Sequence, residues 1–321
     1  MMKMRKIIIS SFSVVFLAST LVTSTYAYVV IGRNADVREF NFNIENTTGL
    51  LLSLDGKNFS SGLTSEMLTS VIAPDGNYDE LKFTGVTPKS ENGLVLIDTN
   101  NLLFVKDNVN VNNNEHSYID ATKNIDYISF DLYFKIINSN NNDSFNLYIT
   151  NNSYIKGTLE NVLLSNKLST LENDYKSGDE ISVNSQNAMR LAISLIENDS
   201  INNTNYYEIT DEFDLGSSAI ENGTDKHDKN KNAMYTYYNN CFPLYPFTSA
   251  AEDNESFNTK NQFMNDDNDY ISQFSYDDSI NDYNIVHSKI YLWLEGWDSD
   301  YFMGLPTTCN NLDIKLQFEI K

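Results

Sequence analysis

Histidine is nearly absent from this chain: His116, His227 and His287 are the only three in 321 residues. None stands in an HExxH pair or another close His pair, so a zinc-peptidase site has no support in the sequence. There is no GxSxG elbow, no P-loop and no dinucleotide-binding glycine fingerprint. That removes the motif support for hydrolase, nucleotide-binding and dehydrogenase readings. Cysteine is as scarce. Cys241 and Cys309 are the only two, which excludes a dense disulfide framework and leaves one candidate bridge or two free thiols. If closed, that loop would stabilise the fold by roughly 4 kcal/mol. Positive charge is also short, with 22 Lys+Arg against 44 Asp+Glu and a net charge of −22. Such a balance repels nucleic acid and anionic membranes, and suits a solvated surface or cation binding.

Long apolar runs are confined to the first residues. Lys3, Arg5 and Lys6 precede an apolar stretch from Ile7 to Val22, and Thr25-Tyr26-Ala27 places small residues at −3 and −1 of a cleavage point. Residues 1–27 therefore read as a secretory signal peptide, too short in its apolar part for a spanning helix of about 20 residues. No cysteine follows the cleavage point, and LPTTC at Leu305–Cys309 lacks the glycine of a wall-sorting signal. The expectation is a secreted or cell-surface protein with no membrane contact after cleavage.

The remainder, residues 28–321, alternates with period two. Ile128, Phe130, Leu132, Phe134 and Ile136 share one face, opposite Tyr127, Ser129, Asp131, Tyr133 and Lys135. The same pattern runs through Leu312–Ile320, Met189–Leu195, Ile290–Leu294 and Phe40–Ile44, with shorter candidates at Leu50–Leu54, Leu94–Ile97, Leu102–Val105, Phe145–Ile149 and Tyr154–Leu159. These predict half-buried antiparallel strands. Thr64–Ile72 is the one clear short helix signal, with Thr64 as cap. Many strands and few helices predict an all-β fold, an antiparallel jelly-roll-like β-sandwich in a single domain. A polar Asn/Asp-rich, low-complexity tract at about 198–285 reads as a long insertion between core strands.

Several stretches resemble exported Gram-positive proteins whose signal peptides are of the SipW type: TYAYVVIGRNADV, TTGLLLSLDGKNFSSGLT, FTGVTPKSENGLVLID, YISFDLYFKI, NAMRLAISL, YLWLEGWDSD and the terminal LDIKLQFEI. In outline the chain is also similar to the TasA and camelysin proteins. That resemblance implies a secreted jelly-roll protein associated with biofilm matrix fibres. The Asn-rich tract departs from the outline, so no fibre-contact residue carries over.

Three sets of residues could carry chemistry. Asn265, Asp267 and Asp269 place oxygen ligands at alternate positions, as Ca²⁺ loops do, without the glycine and glutamate of an EF-hand. Calcium is the one cofactor this suggests, against a plain solvated loop. Trp293, Glu295, Trp297, Asp298 and Asp300 crowd both tryptophans and three acids into one stretch. They form either a surface ligand site, with glycans as the candidate ligand, or a strand end whose aromatics are buried. The N-terminal arm 28–44 could self-associate by adding a strand to a neighbour's sheet, or pair within its own domain. The leading expectation is a secreted, non-enzymatic cell-surface or extracellular-matrix structural protein, with a fibre-forming subunit as its candidate form. A carbohydrate-binding or adhesin module is second, and a secreted hydrolase or peptidase third.

Overall fold

The computed structural model describes residues 34–36, 39–46, 49–73, 82–88, 90–91, 94–95, 97–98, 101–110, 115–137, 145–157, 159–164, 168–169, 174–208, 260–261, 269–277, 282–295 and 311–321. The principal elements, in chain order, are β1 (Glu39–Asn46), β2 (Leu50–Ser53), β3 (Gly62–Leu63), α1 (Ser65–Ile72), β4 (Val86–Pro88), β5 (Phe104–Asn110), β6 (Glu115–Asp120) and β7 (Ile128–Ile136). There follow β8 (Phe145–Ile149), β9 (Tyr154–Lys156), β10 (Met189–Glu197), β11 (Ser200–Glu208), β12 (Lys260–Asn261), β13 (Asp269–Phe274), β14 (Val286–Leu294) and β15 (Asn311–Ile320).

Two sheets enclose one core. The first has the order β12–β11–β10–β14–β7–β2, and the second β13–β8–β15–β1–β3, with β9 also on β15. Apolar residues at alternate positions of β7, β14 and β15 meet between them: Phe130 and Phe134 from the first sheet, Leu316 and Phe318 from the second. Edge-to-face pairs cross the interface, Phe42 on Phe130 at 5.7 Å and Phe134 on Phe318 at 4.9 Å. Leu68 and Ile72 of α1 join the same core. The Thr64 side chain accepts from the Met67 amide, as the sequence predicts for the cap. The fold is thus all-β and sandwich-like, mostly antiparallel, with very few helices.

Three features differ from the sequence reading. First, β1 runs parallel to β15, in register from Glu39 with Asn311 to Asn46 with Phe318. The chain's early and final strands are sheet neighbours, and Phe40–Ile44 pairs within its own domain. Second, both ends of the expected insertion are sheet strands. Asn198 and Asp199, at φ 50° and 58°, close the β10–β11 hairpin. Two positive φ values in a two-residue loop give the turn that suits antiparallel twist. Its polar partner strand SINNTNYYE still buries Tyr207 completely. At the other end, β13 pairs with β8. Third, β10 and β14 are buried on both faces, not half-buried. A small third layer, β6–β5–β4, covers part of the first sheet's outer face.

The turn after β2 shows how an acidic side chain organises backbone here. The Asp55 carboxylate accepts from the Lys57 and Asn58 amides, each at 2.8 Å, and from the Ser53 hydroxyl. Gly56 follows at φ +69°, with the Tyr133 ring 3.3 Å from where a Cβ would stand. Those backbone and side-chain donors hold the Asp55 carboxyl well below the usual carboxylate range. Its contribution to stability is therefore complete above the unfolded value of about 4 and lost as pH falls through the folded value. Melting of Asp55→Ala and the parent should differ at neutral pH, and the gap should shrink progressively as pH falls below about 4. A gap that stays constant with pH would show that these bonds do not depend on the charge.

Candidate functional site

The outer face of the first sheet carries the chemically distinctive residues, divided into an apolar and a polar half. In the apolar half, Tyr291 and Trp293 of β14 point away from the main core, as alternation with Ile290, Leu292 and Leu294 requires. They do not meet solvent. The third layer packs Val86, Leu102 and Phe104 on them, together with Tyr127, Ala192 and Tyr206. Phe104 stands at the centre, 4.4 Å from Tyr127 and 5.2 Å from Trp293 between ring centroids. The Trp293 indole donates to Glu295 at 3.0 Å, and the Leu102 amide donates to the Tyr291 hydroxyl at 3.0 Å. Burial pushes the Tyr291 and Tyr206 hydroxyls well above the usual phenol range.

The surface ligand site therefore loses two of its five expected members. Trp293 and Glu295 are 1% and 2% exposed. The physical reason is the third layer, which the strand pattern of β14 does not announce. Trp297, Asp298 and Asp300 lie outside the described residues, as do Asn265, Asp267, Cys241 and Cys309. Asp269 begins β13, opposite Ile149 in the β8 ladder. Among the described residues no group of three or more His, Cys, Asp or Glu side chains could hold a metal ion. No helix among them is long and apolar enough to cross a membrane.

In the polar half the register opposes Asp131 to Lys289 and Tyr133 to His287 across the β7–β14 pair. Asp131 and His287 lie 2.8 Å apart, Oδ1 to Nε2. The Tyr133 and His287 rings stack at 4.2 Å and 14°. Lys289 is 5% exposed, and its ammonium donates to Asn101 Oδ1 at 2.8 Å and lies 3.7 Å from Asp131. Asn101 pairs with Asp98 in a short ribbon, Ile97–Asp98 with Asn101–Leu102, and that ribbon brings its side chain to Lys289. Beside Lys289 along the sheet, Ser194 bonds Thr204 at 2.8 Å.

The electrostatics follow from this crowding. Burial acts to raise the Asp131 carboxyl, but the His287 hydrogen bond and the charges of Lys289, His287 and Lys123 outweigh it, and the group lies below its ordinary value. Lys123 is lowered, first by burial and then by repulsion from Lys289, with Asp131 partly offsetting both. The cluster thus holds an ionised carboxylate between an imidazole and a buried amine, where it can accept or pass a proton. Sequence reading placed Asp131 and Tyr133 on one strand face and found no close His pair to give His287 a ligand role. It did not single out Lys123, Lys289 or Asn101, because their juxtaposition is made by pairing across some 150–190 positions.

Comparison of the chain with protein-family models, with curated proteins and with solved structures finds no match.

Proposed function

We propose that this chain is an exported, non-enzymatic structural protein of the cell surface or extracellular matrix, a β-sandwich subunit able to self-associate through its N-terminal arm. The observation that carries the reading is the placement of β1. One side of β1 is fully laddered to β15, whereas among the described residues strand pairing on the other side covers Ile44 and Glu45, through Leu63 and Gly62. The Ser65 hydroxyl stands in for a strand at Phe42, accepting from its amide at 2.8 Å and donating to its carbonyl at 3.0 Å. With the two-residue β3 beyond it at that end of the sheet, β1 lies close to an edge suited to strand addition. Further upstream, Asn34–Asp36 pairs with Lys82–Thr84, so that part of the arm is held within the chain. The high negative charge keeps such subunits dispersed until they are arrayed. The jelly-roll connection and the secreted setting belong to the same proposal. The glycan-binding alternative is weakened by the burial of Trp293, and the hydrolase reading gains no support from this arrangement.

Electron microscopy of the concentrated mature protein tests the reading, beside a variant lacking residues 28–33. Fibres are expected from the parent and should be lost in the truncated chain, with the β circular dichroism unchanged. Fibres that persist without residues 28–33 would sink the role of the arm. A parent that stays monomeric at millimolar concentration would sink the assembly reading itself.

A further inference from the structure

We infer that Lys289 and Asn101 form an intramolecular isopeptide bond, made without any other enzyme and assisted by Asp131. The geometry is that of reactants already placed. The Lys289 nitrogen lies 2.8 Å from Asn101 Oδ1. The amide carbon is one carbonyl bond, about 1.2 Å, beyond that oxygen, so nitrogen and carbon are within about 4 Å. A near-attack arrangement needs roughly 3–3.5 Å, and a small side-chain rotation closes the difference. Asp131 Oδ1 stands 3.7 Å from the same nitrogen and is itself held by His287. Lysine is seldom so deeply buried, and a residue at 5% exposure on an inner strand of the sheet is shielded from competing water.

The atoms balance with no added reagent. Lys289 passes a proton to the Asp131 carboxylate as its nitrogen bonds to Cγ of Asn101, and the carbonyl π electrons move to Oδ1. The tetrahedral centre collapses and the bond from Cγ to the original amide nitrogen breaks. That nitrogen takes the proton back from Asp131 and leaves as ammonia, while the remaining lysine proton is lost to solvent. One carbon–nitrogen bond replaces another, and nothing is oxidised or reduced. Asp131 is the catalytic residue of this step and His287 the positioning residue that fixes its carboxylate. The product would tie the ribbon at Asn101 covalently to β14, the central strand of the first sheet, across a separation of 188 positions. For a subunit bearing load along a matrix, that link would prevent the outer layer from peeling away. The bond itself does not depend on the assembly reading, and its test is independent of fibre formation.

The experiment is intact-mass and tandem mass spectrometry on the mature full-length protein, denatured after folding. The expected mass is about 17 Da below that of the sequence, one ammonia lost. Trypsin should fail to cut after Lys289 and should release one branched peptide containing both Lys289 and Asn101. Succinimide formation at Asn92-Gly93 or Asn222-Gly223 loses the same ammonia, so the branched peptide and not the mass alone decides. Lys289→Arg should restore the full mass, and Asp131→Asn should leave the two segments unlinked in a chain with parental circular dichroism. Separate, unmodified Lys289 and Asn101 peptides from the folded parent would overturn the inference. A branched peptide persisting in Asp131→Asn would overturn the role given to Asp131.

Discussion

Replacing Lys106 with methionine should lower stability by about 3 kcal/mol, read from the urea midpoint at constant slope. The lysine reaches from β5 of the third layer to the Asp126 carboxylate, 2.8 and 2.7 Å from its two oxygens. Asp126 is 2% exposed, and the Thr122 amide also donates to it at 2.7 Å. Methionine keeps the length of the side chain but removes the Lys106 cation from that buried carboxylate. Breaking a buried pair from one side costs about 3–5 kcal/mol because the orphaned charge loses both water and partner. The low end applies here, since the Lys106 side chain is 23% exposed and water screens part of the interaction. Lys106→Met combined with Asp126→Asn should recover most of the loss. The amide keeps an acceptor for the Thr122 amide and no longer needs a cation. A single variant within about 0.5 kcal/mol of the parent would show that the pair does not hold the third layer in place.

That layer marks where sequence reading stopped. Alternation in β7, β14 and β15 gave the sandwich, because a strand with one core face writes its pattern in every second residue. In β10 the same rule misled. Met189, Leu191 and Ile193 face the main core, whereas Arg190, Ala192 and Ser194 look like an outward face and are in fact covered. Small residues and a buried arginine, whose guanidinium donates to the Asn187 and Met189 carbonyls, occupy a second interface. One of the strands on its other side, Val86–Pro88, is too brief to carry a period. The parallel β1–β15 pair was hidden for another reason. Strand order between chain ends is set by long-range closure, and each strand reads the same in isolation whichever neighbour it takes. The polar cluster was hidden likewise. Asp131 and Lys289 are unremarked charges on their own strands and become a site only through a register that places them opposite each other.

The two halves of the outer face divide the same sheet between stability and chemistry. On β14, Trp293 and Tyr291 are sealed by Phe104 and Leu102, while two and four positions before Tyr291, Lys289 and His287 meet Asp131. The ribbon ending in Leu102 joins the halves. The Leu102 amide bonds Tyr291, and the preceding Asn101 side chain bonds Lys289. An apolar seal next to a polar cluster is what lets a charged group remain desolvated without being orphaned.

Trp293→Ala should have the largest effect of any single change on this face, a loss of about 3–5 kcal/mol. Trp293 is among the largest fully buried side chains of the described residues. Its removal leaves Phe104 and Tyr206, at 5.2 and 6.5 Å between centroids, facing a void. It also takes the indole donor from the Glu295 carboxylate, which is 2% exposed and bridges to Val86 through the backbone. The cavity and the lost hydrogen bond act together, so the fall in melting temperature should be on the order of 10 °C for a chain of this size. Trp293→Phe separates the two terms. The ring fills most of the void but cannot donate, so any remaining deficit reports the hydrogen bond and should be about 1–2 kcal/mol. Pairing that variant with Glu295→Gln should narrow the deficit, because a neutral amide is less costly to leave without its indole partner than a carboxylate. A Trp293→Ala protein that melts with the parent would mean that the third layer does not seal this face. Trp293 would then return to the surface, where a ligand could reach it.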